Sequence, residues 1–251
     1  MATGVNIDSA VELIINSKFA IAFTGAGISV ESGIPPFRGK DGLWSKYDPN
    51  VLDLNNFFLN PIDSWKVIKE IFYDFFGAAK PNAAHFALSE MEKMGLIKAV
   101  ITQNIDNLHT DAGSKEVYEF HGNSRMLVCP YCGHNYLTSE VNLNDIVPLC
   151  NQCHGVLKPD FIFFGESIPA LAYQKSVEAA EKADLVIIIG STGEVVPASM
   201  IPSVAKQNGA QIIEINPEKS LFTSTITDVF LQGKATEMMT QLINELKKSK
   251  I

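Results

Sequence analysis

The four cysteines of this sequence form two C-x2-C pairs, a pattern typical of a metal site. Cys129 and Cys132 make the first pair, and Cys150 and Cys153 follow after 17 intervening residues. Because four thiolates complete a tetrahedral shell around zinc and leave no position for water, the pattern predicts a structural ion. Disulfide bonds are the alternative, which the lack of a recognisable secretory leader disfavours.

Among the five histidines, His121 has the context of a catalytic base. It stands just before Gly122, after a strand predicted at 117–120, and its pKa suits proton transfer near neutral pH. A lone histidine is more often structural, so both readings stay open on these residues alone. We expect the remaining histidines to be structural rather than ligands: His85, His109, His134 and His154.

Polar residues follow a strand predicted at 98–102. Gln103, Asn104 and Asp106 come directly after it. Side chains just beyond the carboxyl end of a parallel strand lie where such sheets bind ligands. The alternative is an ordinary turn in which Asp106 caps the backbone, and from these residues alone that alternative stays open.

A glycine turn follows the apolar strand predicted at 20–24. Gly25 and Gly27 let the backbone approach a ligand closely, and we expect their amides to be free to face phosphate. The pattern predicts the first strand and phosphate turn of a dinucleotide-binding domain. The fingerprint is incomplete, because Val30 stands where the third glycine belongs. Pro35 and Pro36 then exclude a regular helix, so a loop replaces it.

Two further strands end in residues suited to a nucleotide. The strand predicted at 184–189 ends in a small-residue, hydroxyl-bearing turn, Gly190-Ser191-Thr192-Gly193. The strand predicted at 211–215 ends in Asn216, which could bind an adenosine ribose or cap a turn. Helices are predicted at 9–16, 62–76, 81–94, 173–182 and 235–249. One face of the second helix is expected in the core: Trp65, Ile68, Phe72 and Phe75.

Composition limits the kinds of partner. The 251 residues carry a net charge of -8 with 46% apolar and 19% charged residues, which describes one large globular domain or a domain with an insertion. The acidic balance argues against general binding to nucleic acid or anionic membranes and suits a partner that carries lysines. No apolar run is long enough to cross a bilayer. We therefore expect a cytoplasmic protein.

The motifs, read in order, closely resemble those of the sirtuins, which are NAD-dependent protein-lysine deacylases. The resemblance runs from about residue 9 to residue 245 and is carried by the order of the motifs. They are Gly25-Ala-Gly-Ile-Ser, Gly-Ile-Pro-x-Phe-Arg-Gly, Thr102-Gln-Asn-Ile-Asp106, His121-Gly122, the cysteine pairs, Phe164-Gly-Glu166, Gly190-Ser-Thr, Val196-Pro-Ala198 and Glu214-Ile-Asn216.

The resemblance implies an α/β fold with a Rossmann-like parallel sheet, helices on both faces, and a small second domain. The large domain would comprise residues 1–40, 81–128 and 155–251. The small domain would combine a helical insertion, 41–80, with a zinc-ribbon module, 129–154. NAD and an acyl-lysine peptide would enter the cleft between the domains, and one structural zinc ion would bind the cysteines.

The resemblance also assigns roles to residues. His121 would be the general base, acting with Gln103, Asn104 and Asp106. NAD would contact a set that surrounds its phosphates, riboses and nicotinamide: Gly25, Ala26, Gly27, Phe37, Arg38, Gln103, Asn104, Ile105, Asp106, Gly190, Ser191, Thr192, Asn216 and the backbone near Ala235. The peptide would add as a strand between two segments, which contain Phe164, Gly165, Glu166 and Val195.

Three departures from the family pattern bear on the cofactor loop and the acyl group. Pro36 stands where many members have aspartate, and Ser191-Thr192 reverses the usual order of the two hydroxyl residues. Desuccinylases carry a tyrosine and an arginine on the insertion helix, where this sequence has Ile68 and Ile71. The sequence therefore favours acetyl or longer uncharged acyl groups, and the aromatic face of that helix could border the acyl pocket.

Three other functions fit part of the pattern. A mono-ADP-ribosyltransferase shares nicotinamide expulsion and differs in the acceptor. A nicotinamide-coenzyme dehydrogenase shares the fold, but Val30 and the two prolines oppose it. A zinc-ribbon scaffold that binds NAD is the non-enzyme alternative, against which the polar set Gln103, Asn104, Asp106 and His121 weighs. We expect a monomer whose partners are acyl-lysine proteins, without nucleic acid or membrane.

Overall fold

The computed structural model describes residues 2–37, 42–145 and 147–249, and its centre is a six-stranded parallel sheet. Its strands are β1 (Ala20–Thr24), β2 (Ala99–Thr102), β3 (Val117–Glu119), β7 (Leu185–Ile189), β8 (Gln211–Asn216) and β9 (Val229–Gln232). Their order across the sheet is β3-β2-β1-β7-β8-β9. The central strands are continuous apolar runs because helices cover them on both sides.

Helices pack on both faces of this sheet. On one face lie α1 (Ala2–Asn16), α4 (Ala83–Lys93) and α8 (Ala235–Lys248), whose apolar side chains form one core with the sheet. On the other face lie α6 (Ala170–Lys182) and α7 (Met200–Gln207), which form a second core. A short helix, α5 (Leu108–Asp111), follows β2. This confirms the predicted Rossmann-like sheet with helices on both faces.

A second, antiparallel sheet of three strands stands beside the first. Its strands are β4 (Gly122–Val128), β5 (Asn135–Leu137) and β6 (Lys158–Phe161). The insertion contributes two helices, α2 (Leu54–Leu59) and α3 (Pro61–Ile68), which share an aromatic core with β4 and β6. The predicted boundaries of the two domains stay a prediction.

The prediction of one regular helix at 62–76 is wrong. After α3 the chain forms a π-helical segment, Lys69–Phe75, and then a 3-10 turn, Phe76–Ala78. A π turn accommodates an extra residue, so the side chains beyond it shift around the axis. Phe75, predicted in the core, is 51% exposed, and Phe76 is buried in its place. Trp65, Ile68 and Phe72 are buried as predicted.

The sequence pattern also missed several short elements. The strands β4, β5 and β9 and the helices α2 and α7 were not predicted, and Ala26–Ser32 is a 3-10 helix within the expected loop. Elements of three to eight residues carry too few periodic positions to stand out. Among the described residues, no helix combines the length and the apolar character that a membrane crossing needs.

Candidate active site and metal centre

Strand register brings the predicted polar segments to one edge of the parallel sheet. Thr24 of β1 lies opposite Thr102 of β2 and Ile189 of β7, and Ile189 lies opposite Ile215 of β8. Four strands therefore end at the same level. The loops that follow them begin side by side, which is the position in which open α/β sheets bind ligands.

The glycine turn after β1 packs on the glycine turn after β7. A Cβ atom on Gly27 would lie 2.5 Å from the Cα of Gly190, so only glycine fits. The amide of Gly27 donates to the carbonyl of Gly190 at 2.9 Å, and that of Gly25 donates to the carbonyl of Ile189 at 3.0 Å. The expectation that both amides are free for phosphate is therefore wrong. These glycines allow two loops to approach each other.

Side-chain hydrogen bonds connect three of the four loops. The amide nitrogen of Gln103 donates to the hydroxyl of Ser191 at 3.0 Å. Asn216 donates from its side chain to the carbonyl of Ser191 at 3.0 Å and to the carboxylate of Glu214 at 3.0 Å. Thr192 is exposed beside them. The orientation of Asn216 is thus fixed by its nitrogen, which leaves its side-chain oxygen available to a ligand.

Ser29 links Asn104 to Asp106, although sequence reasoning did not single it out. Its hydroxyl donates to Asp106 Oδ2 at 2.6 Å and accepts from Asn104 Nδ2 at 3.2 Å. Asn104 Nδ2 also donates to the carbonyl of Gly25 at 3.1 Å. Ser29 is fully buried, and its place in the Gly-Ala-Gly-Ile-Ser motif was the available signal. One hydroxyl therefore orients two predicted site residues.

Asp106 is a half-buried carboxylate in this site. Burial raises its pKa, and hydrogen bonds from Ser29 and from the amide of Leu108 partly oppose that rise. A small cavity opens beside it. The cavity is lined by Ala26, Ile34, Phe37, Phe76, Asn104, Ile105 and Asp106. Its walls are mostly apolar, and Asn104 and Asp106 contribute its polar side chains.

His121 lies at the same edge and has a defined tautomer. Its Nδ1 is 2.9 Å from the carbonyl oxygen of Gln103. Because a carbonyl oxygen only accepts hydrogen bonds, Nδ1 carries the proton and Nε2 has the free lone pair. Burial lowers the pKa of His121, although the Gln103 carbonyl opposes this in part. The imidazole is therefore neutral at pH 7 and can accept a proton at Nε2.

The other buried histidines have structural partners. Nδ1 of His85 accepts from the amide of Asn82 at 3.3 Å and closes the cap of α4. His109 Nε2 lies 2.9 Å from the hydroxyl of Thr24. Burial lowers the pKa of His85 to about 4 and that of His109 well below its ordinary value. Both therefore belong to the packing behind the site, as expected.

The segments predicted to bind peptide are partly exposed. Phe164 is 50% exposed, Gly165 is exposed, and Val195 is half-buried. Phe164 already pairs with the insertion, because its amide donates to the carbonyl of Leu52 at 2.7 Å. The carboxylate of Glu166 turns inward and accepts from the amide of Phe163 at 2.7 Å. Gly165 of this turn faces open space, because a Cβ atom added to it would meet no other atom within 4 Å.

Two further predicted contacts lie at the rim. Ala235 begins α8, and the first turn of that helix is held by Glu31, whose carboxylate accepts from the amide of Thr236 at 3.0 Å. Glu31 belongs to the 3-10 helix that follows Gly25, so α8 begins close to the first glycine turn. Arg38 lies outside the described residues.

The four cysteines converge on one point. Their Sγ atoms all lie within 4.8 Å of one another. Two of the pairs, Cys129–Cys153 and Cys132–Cys150, are 3.4 and 3.6 Å apart. A disulfide would need about 2.05 Å. Thiolates around zinc, each about 2.3 Å from the ion, stand roughly 3.8 Å apart. The geometry fits a tetrahedral zinc ion and excludes disulfides.

The two cysteine turns repeat one hydrogen-bond pattern. The amide of Gly133 donates to the carbonyl of Cys129 at 2.8 Å, and the amide of His154 donates to that of Cys150 at 2.9 Å. Gly133 and His154 both adopt left-handed backbone conformations, with φ of 74° and 59°. His154 thus takes the place of a turn glycine, and its side chain is not among the grouped ligands.

His134 packs against an aromatic neighbour of the metal centre. Its ring lies 4.8 Å from the ring of Tyr136, centroid to centroid. The hydroxyl of Tyr136 accepts from the amide of Asn151 at 3.0 Å and lies 3.2 Å from the sulfur of Cys150. Since the hydroxyl proton is free, it can donate to a cysteine thiolate. Tyr136 therefore supports the ligand set, which sequence reasoning missed.

This arrangement is that of a nucleotide-binding α/β protein with a separate four-cysteine metal centre. A family model described as "Sir2 family" matches residues 25–197. The chain belongs to the Sir2 family. The NAD-dependent protein deacylase of Pyrococcus furiosus is 44% identical over 247 residues, covering 94% of this chain and 96% of the relative. NAD-dependent protein deacylase 2 of Pyrobaculum aerophilum is 42% identical over 241 residues, covering 94% of each.

Solved structures agree over nearly the whole chain. A Sir2 homologue in complex with NAD superposes with a TM-score of 0.89 at 38% identity, covering 96% of this chain and 94% of that one. A Sir2 complex with a p53 peptide and NAD+ superposes with a TM-score of 0.88 at 35% identity, covering 95% and 98%. The similarity includes both sheets, so the small antiparallel sheet belongs to the family fold.

Proposed function

We propose that this protein is an NAD-dependent protein-lysine deacylase that releases nicotinamide and O-acyl-ADP-ribose. The observation that carries the proposal is the convergence of His121, Asn104 and Asp106 at the carboxyl edge of the sheet, where Asn104 and Asp106 line a small cavity. When bound, NAD would supply the bond between a ribose carbon and the nicotinamide nitrogen. This bond can break to release nicotinamide, and the acyl oxygen can then bond to the ribose carbon. The remaining steps depend on how this chain positions the reactants.

Asp106 and the backbone of Ile105 are proposed to hold the nicotinamide amide. Each carboxylate oxygen of Asp106 already accepts one hydrogen bond, from Ser29 or from the amide of Leu108, so the group cannot rotate. Its remaining lone pairs are proposed to accept from the carboxamide. Phe37 lines the same cavity as Asp106 and is therefore proposed to cover the reacting carbon. Its ring packs on those of Trp44 and Phe72, at 5.5 and 6.4 Å between ring centroids.

Asn104 and His121 are proposed to act on the ribose nearest nicotinamide. Both hydrogens of Asn104 Nδ2 are used within the protein, so its Oδ1 remains to accept from a hydroxyl. His121 Nε2 would accept the proton of a ribose hydroxyl as that oxygen bonds to the acyl carbon. The bond from the acyl carbon to the lysine nitrogen would then break, lysine would leave as the amine, and water would supply the remaining hydroxyl of O-acyl-ADP-ribose. Gln103 orients two residues of the site. Its backbone carbonyl accepts from His121, and its side-chain amide donates to Ser191.

The remaining contacts are proposed for the adenosine half, the peptide and the metal. Gly25, Ala26, Gly27, Arg38, Gly190, Ser191, Thr192, Asn216 and Ala235 would surround the phosphates and adenosine. The peptide would lie between the 164–166 turn and the loop at Val195. One zinc ion, held by the four cysteines, would have a structural role because its ligand shell is complete.

The proposed acyl group is acetyl or a longer uncharged group. Ile68 and Ile71 are fully buried in an apolar core that also holds Phe72 and Phe76. A negatively charged acyl group would find no arginine there, since the sequence has none between residues 39 and 124. We further propose that the protein acts as a cytoplasmic monomer on lysine-bearing proteins, in keeping with its net charge of -8.

Mass spectrometry of products tests the proposal. The zinc-loaded protein would be incubated with NAD and a panel of peptides carrying acetyl, butyryl, longer uncharged acyl and succinyl lysine. We expect free lysine, nicotinamide and acyl-ADP-ribose from the uncharged set, and slower turnover of succinyl-lysine. ADP-ribose attached to protein or peptide would instead indicate a mono-ADP-ribosyltransferase. No consumption of NAD with any peptide would refute the enzyme assignment.

A further inference from the structure

Lys158 is a buried cation. It lies between the carboxyl edge of the parallel sheet where His121, Asn104 and Asp106 meet, which we call the catalytic edge, and the turn 163–166 that is proposed to flank the peptide. It begins β6 and is 4% exposed, although lysine is among the residues that proteins bury least. It pairs across the small sheet with Val128 of β4, and four residues after it the amide of Ile162 donates to the carbonyl of His121 at 2.9 Å. A charge in such a place requires an account of its partners.

All three ammonium hydrogens of Lys158 have acceptors. Its Nζ donates to the carbonyls of Pro159 at 2.8 Å and Phe161 at 2.7 Å, and lies 2.9 Å from Glu166 Oε2. The ring of Phe163 covers it at 4.2 Å from the centroid. Burial lowers the pKa of Lys158, and Glu166 opposes this. The full set of partners keeps the charge in place.

Glu166 completes a closed turn around this ammonium. The same Oε2 atom that pairs with Lys158 accepts from the amide of Phe163 at 2.7 Å. The amide of Glu166 donates in turn to the carbonyl of Phe163 at 3.0 Å. The two residues between them, Phe164 and Gly165, are consequently turned outward. The conformation of 163–166 thus depends on a side chain that is five to eight positions earlier in the sequence.

The outer side of the turn is fixed by the insertion. The amide of Phe164 donates to the carbonyl of Leu52 at 2.7 Å, and the amide of Leu54 donates to the carbonyl of Phe164 at 3.1 Å. The polar backbone atoms of Phe164 are therefore occupied, and Gly165 is left for strand addition. The position of the 163–166 turn is therefore set by two groups of contacts. One is the buried pair of Lys158 and Glu166, and the other is the backbone pairing of Phe164 with the insertion.

We propose that Lys158 is a positioning residue for the acyl-lysine peptide, which it serves by fixing the 163–166 turn in the conformation that leaves Gly165 available for strand addition. The inference rests on the proposed function. A residue with only a structural role would lower stability and activity together. Lys158 should instead act on peptide affinity, because its partners reach the peptide edge and not the loops predicted to bind NAD.

Peptide binding without turnover tests this directly. The dissociation constant of a fluorescent acetyl-lysine peptide would be measured by anisotropy on zinc-loaded protein, next to the KM for NAD and the melting temperature. Variants would be Lys158→Met, Lys158→Arg and the double variant Lys158→Met/Glu166→Met. The matched control is Lys206→Met, which removes the Lys206–Asp228 ion pair, 2.6 Å long, from the end of α7.

We expect Lys158→Met to weaken peptide binding about tenfold and to leave the KM for NAD within about twofold. Lys158→Arg should recover much of the loss, since it keeps the charge. The double variant should regain thermal stability, because apolar replacement of a buried ion pair is often tolerated, yet still bind peptide weakly. Lys206→Met should bind peptide normally.

Two outcomes would overturn the inference. If the double variant regains both its melting temperature and its affinity for the peptide, Lys158 has only a structural role. Peptide affinity unchanged in a folded Lys158→Met variant would mean that the turn does not depend on it. Failure of the wild-type protein to bind acetyl-lysine peptide or to consume NAD would instead count against the proposed function.

Discussion

The catalytic edge and the metal centre hold their functional side chains by different means. At the edge, residues far apart in sequence meet because four strands end in register, and hydrogen bonds through Ser29 and Gln103 then set their orientation. At the metal centre, the ligands come from two turns joined by a strand of three residues and a 3-10 turn. The first region is preformed by the fold, whereas the second needs its ion.

Removing zinc should have the largest effect and should separate the two regions. Structural zinc sites contribute on the order of 10 kcal/mol to the modules they hold. After chelation we expect rapid amide exchange in β5 and the cysteine turns, loss of deacylation, and slow exchange in β1 and β7. Hydrogen exchange read by mass spectrometry checks this. Equal loss of protection in β7 would show that the large sheet also depends on the ion.

Replacing His121 should abolish chemistry while leaving both regions folded. We expect His121→Ala to lower kcat by about 10²–10⁴-fold, the range typical of a lost general base. Zinc content and melting temperature should stay at the wild-type values. His134→Ala, which removes an exposed ring beside the metal centre, is the control and should turn over normally. Unchanged peptide deacylation by His121→Ala would refute the assignment.

Neutralising Asp106 should produce an intermediate loss. Asp106→Asn keeps the shape but removes the charge that would accept from the nicotinamide amide. A hydrogen bond to a charged group contributes about 1.5–3 kcal/mol, so kcat/KM should fall roughly 10- to 100-fold. Nicotinamide release measures it. Asp111→Asn, at the exposed end of α5, should have little effect, and equal losses in the two variants would contradict a local role.

His85 should make stability depend on pH behind the catalytic edge. Burial lowers its pKa to about 4 from an unfolded value of 6.5, so between these values only the unfolded chain binds the proton. Its contribution is complete above pH 6.5 and is lost as pH falls toward 4, by about 3 kcal/mol. The free energy of unfolding, measured with urea across that pH window, should therefore vary less steeply with pH in His85→Gln than in the wild type. An unchanged slope would show that His85 is not neutral in the fold.

Sequence reasoning succeeded where a local pattern carried the information. The cysteine spacing predicted the metal centre, and apolar runs bounded by glycine predicted β1 and β7. The order of motifs located the family. Each of these signals is read directly along the chain and needs no knowledge of the partner strand.

The failures came from contacts that no short segment contains. The amides of Gly25 and Gly27 donate to the last residue of β7 and to the turn after it, which are about 160 residues away in the chain. Ser29 and Lys158 became visible only when their partners were placed. Phe75 was misassigned because a π turn changed the helical period, which a fixed 3.6-residue pattern does not anticipate.

The most direct test of the account is a stoichiometry measured on zinc-loaded protein. NAD and an acetyl-lysine peptide would be mixed, and nicotinamide, free lysine and acyl-ADP-ribose counted in the same reaction. The account predicts equal amounts of all three, with none formed when peptide is omitted or His121 is replaced by alanine. Lysine freed without loss of NAD, or no reaction from intact wild-type protein, would contradict it.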